Sequence, residues 1–316
     1  MQIKKMLVVL DSRFNTQPVV AKAMFLAKQY NAEVELAVFD HCNALVSSYL
    51  FDKVGLEEAK AGYMRGKEKW AADFAALMIK NGLNVTVYTE WSKHSGKSIV
   101  ERAVTTNVDL IVKGTHQHSL IERAFMTHTD WQLMRETPVP LLFIREREWG
   151  SAISVSAAVD PLANDDELAI EKNSATSVTL DHQILAVAHD LACKLPAELS
   201  AIHAYEPLTT GMVAEFDTLI ANYADYREAV MKKHRQALDG LLKSDVERGC
   251  IVYFEEGAAE KVVPEVIERE AIDIIVLGAV ARSGVDRIVI GSTAERLLDN
   301  ILCDLLVVRG QAAEHQ

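Results

Sequence analysis

The sequence predicts an α/β protein made of two tandem domains, each a five-stranded parallel sheet with helices on both faces. Three observations predict it. Short, continuously apolar segments alternate with helical ones along the chain, which is typical of strands covered on both faces by helices. The same order of segments occurs twice. The length of 316 residues is about twice that of a typical domain.

The second half of the chain repeats the first. Residues 108–114, VDLIVKG, correspond to residues 272–278, IDIIVLG, at an offset of 164 that continues without a gap to Arg145 and Arg309. Near the start of each half, residues 8–11 correspond to residues 157–160 at an offset of 149. A polar loop inserted at about residues 161–177 accounts for the difference. This period indicates a duplicated domain rather than a solenoid, and we place the domains at residues 1–146 and 152–310.

Apolar periodicity and turn residues predict the elements in order. The first helix begins at Pro18, because proline lacks only an N–H that the first turn leaves unbonded. In the first half we expect strands at 6–10, 33–39, 85–90, 109–113 and 140–144, with further helices at 56–79, 98–104 and 130–135. In the second half we expect strands at 154–159, 199–204, 251–254, 273–277 and 304–308, with an amphipathic helix around residues 262–267.

Composition and charge limit the classes of partner and the cellular compartment that we expect. The formal net charge is −12, and no basic run is present, so we do not expect nucleic acid as a partner. No apolar segment approaches the length of a membrane span, and the N-terminal apolar stretch is too short for a secretory signal. The four cysteines are scattered, which favours a reduced, cytoplasmic protein.

Ligands of open parallel sheets bind beyond the carboxyl ends of the strands, at the switch point where the strand order reverses. Asp11 and Asp160 follow the first strand of each half, and Gly114 and Gly278 end the fourth. Each aspartate could instead cap the helix that follows it, and for Asp11 we favour this simpler role.

The segment after Gly278 has the composition of an anion site. Gly291 precedes a predicted helix, and Ser292 and Thr293 supply hydroxyl groups to its first turn. Free backbone N–H groups at such a helix start bind anions. The alternative is that these residues only turn a strand into a helix.

This segment resembles the nucleotide-binding members of the universal stress protein family, which carry Gly-x2-Gly-x9-Gly-Ser/Thr between strands four and five. Here the frame reads Gly278, Ala281, Gly291 and Ser292, with alanine at the second glycine. The resemblance extends over essentially the whole chain. It implies a non-enzymatic stress-response protein that binds a small molecule, with ATP as the candidate ligand of the second domain, and roles in stress or DNA-damage tolerance.

By position, the resemblance implies an ATP site in the second half. Asp160 would bind the nucleoside, Gly278 and Ala279 would pass beneath the ribose and phosphates, and Gly291, Ser292 and Thr293 would hold the phosphates. From the same loop we add Gly284 and, for its charge, Arg282.

The first half has lost this loop. It keeps Gly114, but Gln117, His118, Thr127 and His128 stand where the second half has Ala281, Arg282, Gly291 and Ser292. We therefore expect no nucleotide there. An alternative function is a carrier or sensor of an apolar, lipid-like ligand, bound in the first domain by side chains that could equally be core: Tyr63, Met64, Trp70, Phe74, Leu77 and Met78.

The remaining motifs are weaker indicators of function. Residues 95–98, SGKS, end like a phosphate-binding loop, but Trp91 stands where that loop needs glycine, so we interpret them as a strand-to-helix turn. His116, His118 and His128, with Asp130 as a further ligand, could suggest a metal, but they lack a complete ligand set, and we expect none. No nucleophile or acid–base motif is present in the sequence, so we expect no enzyme and no catalytic residues.

The resemblance also implies how the halves associate. Family members pair through the fifth strand, and in a tandem chain residues 141–144 and 305–308 could form that pair within one molecule. We therefore expect an intramolecular pseudo-dimer, with a homodimer as a further possibility.

Overall fold

The computed structural model describes residues 1–13, 15–47, 51–115, 126–163, 174–208, 223–279, 297–298 and 300–309. In these ranges the predicted α/β class is confirmed, since strands paired mainly in parallel alternate with helices. The chain divides into two compact units. Unit 1 comprises Met1–Glu148 with Asp304–Val307, and unit 2 comprises Trp149–Cys303 and the chain from Val308 onward.

Unit 1 follows the predicted order of elements. Its strands from the first half are β1 Lys5–Val9, β2 Glu33–Asp40, β3 Val85–Trp91, β4 Leu110–Gly114 and β5 Leu141–Ile144. Its helices are α1 Gln17–Tyr30, α2 Asn43–Val46, α3 Lys53–Lys80, α4 Ser95–Thr105 and α5 His128–Glu136. The strands lie in the order β3-β2-β1-β4-β5, all parallel, so the switch point falls between β1 and β4.

Helices α3, α4 and α5 begin two or three residues earlier than the apolar pattern predicts. In α3 the side chain of Asp52 caps the helix, accepting a hydrogen bond from the backbone N of Gly55 at 2.8 Å. Helix α1 has Pro18 in its first turn, as predicted, and ends at Asn31, whose φ of 52° is left-handed. Asparagine tolerates this conformation, which terminates a helix.

A strand from the end of the chain completes unit 1. Strand β10, Asp304–Arg309, pairs antiparallel with β5, with Leu305 beside Phe143 and Val307 beside Leu141. The predicted pairing of these two strands is therefore confirmed. A pseudo-dimer of the two halves and a homodimer stay predictions.

A buried ion pair fixes β10 in unit 1. The ammonium of Lys22 in α1 lies 2.7 Å from the Oδ2 atom of Asp304, and both side chains are buried. The same ammonium donates to the carbonyls of Arg145 and Arg147, and Asp304 Oδ1 accepts from the backbone N of Arg145 at 2.7 Å. Burying two charges is favourable only when hydrogen bonds satisfy them in this way.

Unit 2 repeats the parallel arrangement. Its strands are β6 Ser154–Ala158, β7 Glu198–Tyr205, β8 Ile251–Glu256 and β9 Ile274–Ala279, in the order β9-β6-β7-β8. Its helices in the described part of the chain are α6 Ser174–Lys194, α7 Tyr223–Glu247 and α8 Ala259–Arg269. The predicted apolar face of α8, including Val262 and Val266, is buried. Helix α6 begins inside the segment predicted as a loop.

Substitution of Lys22 by methionine should destabilise unit 1 by about 3–5 kcal/mol, because Asp304 would be left in the interior without this ammonium. Urea unfolding followed by circular dichroism would measure the loss. Replacing Lys28, an exposed lysine of the same helix, by methionine is the matched control and should have little effect. The double variant Lys22→Met with Asp304→Leu should recover part of the stability, and no recovery would contradict the assignment.

Candidate functional site

The carboxyl ends of parallel strands lie at one edge of each sheet, which we call the carboxyl edge. In unit 1, Asp11 follows β1 and Gly114 ends β4. In unit 2, Asp160 follows β6, and Gly278 and Ala279 end β9. Since β1 neighbours β4 and β6 neighbours β9, the residues predicted from the sequence flank the switch point in both units.

The two shared glycines have a packing role. A Cβ atom added to Gly114 would lie 2.8 Å from Val19 Cγ2 in α1. One added to Gly278 would lie 2.8 Å from both Leu180 Cδ2 and Ile184 Cδ1 in α6. Contacts this short would force these helix side chains to shift, so glycine lets each helix approach its strand closely. These glycines therefore have a structural reason that requires no ligand.

In unit 1 a small pocket lies at the switch point, lined by residues that include Asp11, Thr16 and Arg145. The predicted capping role of Asp11 is wrong. Thr16 occupies the N-cap position of α1, while Asp11 accepts hydrogen bonds from the backbone N and the guanidinium of Arg13. Although burial raises the pKa of Asp11, its bonds to Arg13 outweigh this effect and lower the pKa below its usual value.

The first turn of α5 contains a carboxylate, that of Asp130, which serves as the anion at this helix N-terminus. Thr127 Oγ1 accepts from the backbone N of Asp130, and the carboxylate of Asp130 accepts from the backbone N of Thr127 at 2.8 Å, forming a capping box. The other carboxylate oxygen lies 2.7 Å from the ammonium of Lys113 at the end of β4. Both charged side chains are buried. The electrostatic demand of this helix start for negative charge is thus met internally.

A second polar network occupies the carboxyl edge of unit 1 beside β2. Asp40 accepts hydrogen bonds from Tyr63 Oη and from the ammonium of Lys67, both at 2.8 Å. Lys67 also donates to Ser12. Burial raises the pKa of Asp40, but the bonds from Lys67 and Tyr63 outweigh it and lower the pKa below its usual value. Together with the capping box, this network supports the prediction that unit 1 binds no nucleotide.

The side chains proposed for an apolar ligand do not share one environment. Met78 is buried in the core, whereas Leu77 is exposed. Trp70 and Phe74 pack edge to face, with ring centroids 5.4 Å apart, and Tyr63 belongs to the polar network around Asp40. These placements give the apolar-ligand alternative no support.

The predicted strand-to-helix turn at SGKS is wrong in its position, because residues 95–98 form the first turn of α4 and residues 92–94 connect it to β3. Strand β3 ends at Trp91 and α4 begins at Ser95. The hydroxyl of Ser98 donates to Glu90 Oε1 at 2.6 Å, and Gly96 packs against the side chain of Gln132. These contacts account for the segment without a phosphate.

The metal alternative rested on three histidines and Asp130. His116 and His118 lie outside the described residues, and Asp130 pairs with Lys113. Within the described ranges, no three His, Cys, Asp or Glu side chains form a group that could hold a metal ion. In the same ranges, no helix is both long and apolar enough to cross a membrane.

In unit 2 a buried carboxyl lies beneath the Asp160 backbone. The backbone N of Asp160 donates to Asp181 Oδ1 of α6 at 3.2 Å. Burial, with a smaller contribution from the charge of Asp160, raises the pKa of Asp181 to about 6. The side chain of Asp160 itself is exposed at the carboxyl edge.

Two histidines, His203 and His234, form a hydrogen-bonded chain that ends at Val159, the residue before Asp160. The carbonyl of Val159 lies 2.9 Å from Nδ1 of His203, a buried residue of β7. Nε2 of His203 lies 2.9 Å from Nδ1 of His234 in α7. The rings of Tyr205 and Phe254 stack beside this pair, with centroids 4.6 Å apart. The end of β6 is thus held by His203 at Val159 and by Asp181 at Asp160.

Part of the predicted site can be located. Asp160, Gly278 and Ala279 lie at the carboxyl edge of unit 2. Arg282, Gly284, Gly291, Ser292 and Thr293 lie outside the described residues. Five polar residues at the two edges were not predicted to act there: Lys113, Asp130 (considered only as a metal ligand), Asp181, His203 and His234. A lysine within an apolar strand and the spacing of Thr127 with Asp130 were the available signals for the first two.

Comparison with known proteins identifies the family. The model of the universal stress protein family matches residues 2–145 and 176–309, once in each half of the chain. The chain belongs to the universal stress protein family.

The chain is similar to members of this family along nearly their whole length. Universal stress protein E of Escherichia coli K12 is 25% identical over 312 residues, covering 97% of this chain and 94% of its own. The Universal stress protein E homolog of Haemophilus influenzae is 23% identical and covers 98% of each chain. The crystal structure of a universal stress protein from Archaeoglobus fulgidus has a TM-score of 0.65 at 15% identity, covering 98% of this chain and 99% of its own, which shows the same fold.

In this universal stress protein, replacing Asp130 by alanine should destabilise unit 1 by about 3–5 kcal/mol, because Lys113 would lose its buried carboxylate. Urea unfolding would measure the effect. Glu136→Ala removes a half-buried carboxylate at the other end of the same helix and should cost much less. Equal losses in the two variants would show that the ion pair contributes nothing specific.

Proposed function

We propose that this universal stress protein is a non-enzymatic, ligand-binding stress protein whose second domain binds ATP at the carboxyl edge of β6 and β9. The contrast between the start of α5 and the corresponding sequence of the second half carries the proposal. Unit 1 supplies its own anion there, through the ion pair of Lys113 with Asp130. At the offset of 164, the second half has Leu277 and Ala294 in their place.

This difference leaves the second half without an internal anion at those positions. Gly291 stands where unit 1 has the capping Thr127, and Ser292 and Thr293 follow it. A glycine and two hydroxyls suit a phosphate group, which would take the role that the Asp130 carboxylate has in unit 1. Gly284 and Arg282 belong to the same proposed loop, with Arg282 as a cation for the phosphates.

The nucleoside would bind beside Asp160. Its exposed carboxylate accepts hydrogen bonds from hydroxyl or amino groups. The aromatic side chains of Tyr205, His234 and Phe254 lie near the same strand ends, and aromatic rings pack favourably against a base. Unit 1 instead has Asp40 at the end of β2, bonded to Lys67.

The described carboxylate pairs favour binding over catalysis. Glu255 and Glu256, adjacent at the end of β8, are both ion-paired, to Arg269 and Arg227 respectively. Carboxylates neutralised in this way are poorly suited to proton transfer. This supports a role without catalytic turnover, in which occupancy of the site is the signal.

ATP binding should be detectable by isothermal titration calorimetry at about pH 8, where the carboxylates are ionised. Asp160→Ala should weaken binding by about tenfold or more, the effect of losing a hydrogen bond to a charged group. Asp11→Ala, the corresponding change in unit 1, is the matched control and should leave the affinity unchanged.

A second pair of variants tests the phosphate end. Gly291→Val should abolish ATP binding, because its side chain would block the close approach of a phosphate. Thr127→Val, at the corresponding position of unit 1, should not. No ATP binding by the unmodified protein, or equal effects in both units, would overturn the proposal. Native mass spectrometry of the purified protein would then reveal any lipid-like ligand that co-purifies.

A further inference from the structure

The hydrogen-bond chain at the end of β6 has a fixed direction. The carbonyl of Val159 can only accept, so Nδ1 of His203 carries the proton. In the neutral ring Nε2 is then an acceptor, so Nδ1 of His234 donates to it. The ring planes are 27° apart and the centroids are 5.1 Å apart, which fits two imidazoles hydrogen-bonded edge to edge.

This direction leaves one position for an added proton. The two nitrogens between the rings already share one, and Nδ1 of His203 is bonded to the strand. The added proton therefore goes to Nε2 of His234, which is half-buried, and the inner hydrogen bonds stay intact.

The surroundings of His234 oppose its charge at neutral pH. Burial, followed by His203 and Lys233, lowers the pKa of His234, while the carboxylate of Asp160 acts in the opposite direction. Among the described residues, the rings of His203 and Tyr205 in β7 contact it, and the charge of Asp160, which follows β6, acts on it. Lys233 lies on its own helix. Asp160 is the one carboxylate in this set, so the charged imidazole would be attracted to it.

We propose that His234 is a proton-sensitive positioning residue for Asp160. When neutral, it holds the end of β6 through His203 and leaves the Asp160 carboxylate to the ligand. When protonated, it draws that carboxylate into an ion pair that competes with the ligand. Acidification therefore weakens ligand binding in the second domain. This inference rests on the proposed function for its consequence, but the proton-dependent contact is a property of the chain itself.

Nuclear magnetic resonance tests the contact without ligand. In protein labelled with ¹⁵N, a titration from about pH 8 to about pH 5 spans the protonation of histidine. One component of the shift of the Asp160 backbone amide should have the same midpoint as the ring of His234. Nδ1 of His203 should stay protonated throughout.

Variants separate the two groups that titrate in this range. His234→Asn keeps a donor near the position of Nδ1 but cannot ionise, so the His234 component of the Asp160 shift should vanish. Asp181→Asn should remove the other component, which belongs to the buried carboxyl. His189→Asn, at a half-buried position of α6, is the matched control and should change neither. An Asp160 amide that does not shift, or that keeps both components in His234→Asn, would overturn the proposal.

The effect of pH on ligand binding is measured as the ratio of two ATP affinities, that of the unmodified protein and that of His234→Asn. ATP protonates in the same pH range, but equally for every protein variant. Because the pKa of His234 is lowered below 6.5, the ATP affinity of the unmodified protein relative to His234→Asn should fall by at most about fourfold between about pH 8 and about pH 6. It should fall further toward about pH 5, where one coupled proton changes binding by at most tenfold per pH unit. A constant ratio would refute the competition. No ATP binding at pH 8 would instead refute the proposed function, while the titration still decides the contact.

Discussion

The ion pair between Lys113 and Asp130 determines how the first unit is completed. It joins the end of β4 to the start of α5 and supplies the negative charge that the helix start favours. The duplicated half has Leu277 and Ala294 at the corresponding positions. Our proposal of a ligand site in the second half is based on this difference.

Between the two halves, the packing of helix against strand has diverged less than the residues at the carboxyl edge. Gly114 and Gly278 keep the same close approach between strand and helix, which any copy of this fold must preserve. The polar residues around them are under no such constraint. Asp40 ends β2 in a network of charges, whereas Tyr205 ends β7 among aromatic rings. The core packing is therefore common to the two units, and the side chains at the carboxyl edge distinguish them.

The fold could be predicted because buried parallel strands leave continuous apolar runs and each half repeats the other. Residue positions at strand ends, such as Asp160 and Gly278, followed from the same pattern. The pairs that complete each edge could not be predicted, since they join side chains from different elements. His203 and His234 lie on a strand and a helix, and nothing in their spacing indicates contact. Asp11 was misassigned as a helix cap because the length of the loop before α1, which lets Arg13 bind it instead, has no periodic signal.

The position of β10 has a consequence for how such a gene could evolve. The strand that closes the first unit follows the other strands of the second repeat along the chain, and it brings Asp304 to Lys22. A fragment that stopped after the first repeat would lack this carboxylate and expose an unpaired strand edge, which promotes aggregation. Gene fission between the repeats would therefore not release two ready-made proteins. The shared strand therefore opposes the evolutionary separation of the two fused repeats.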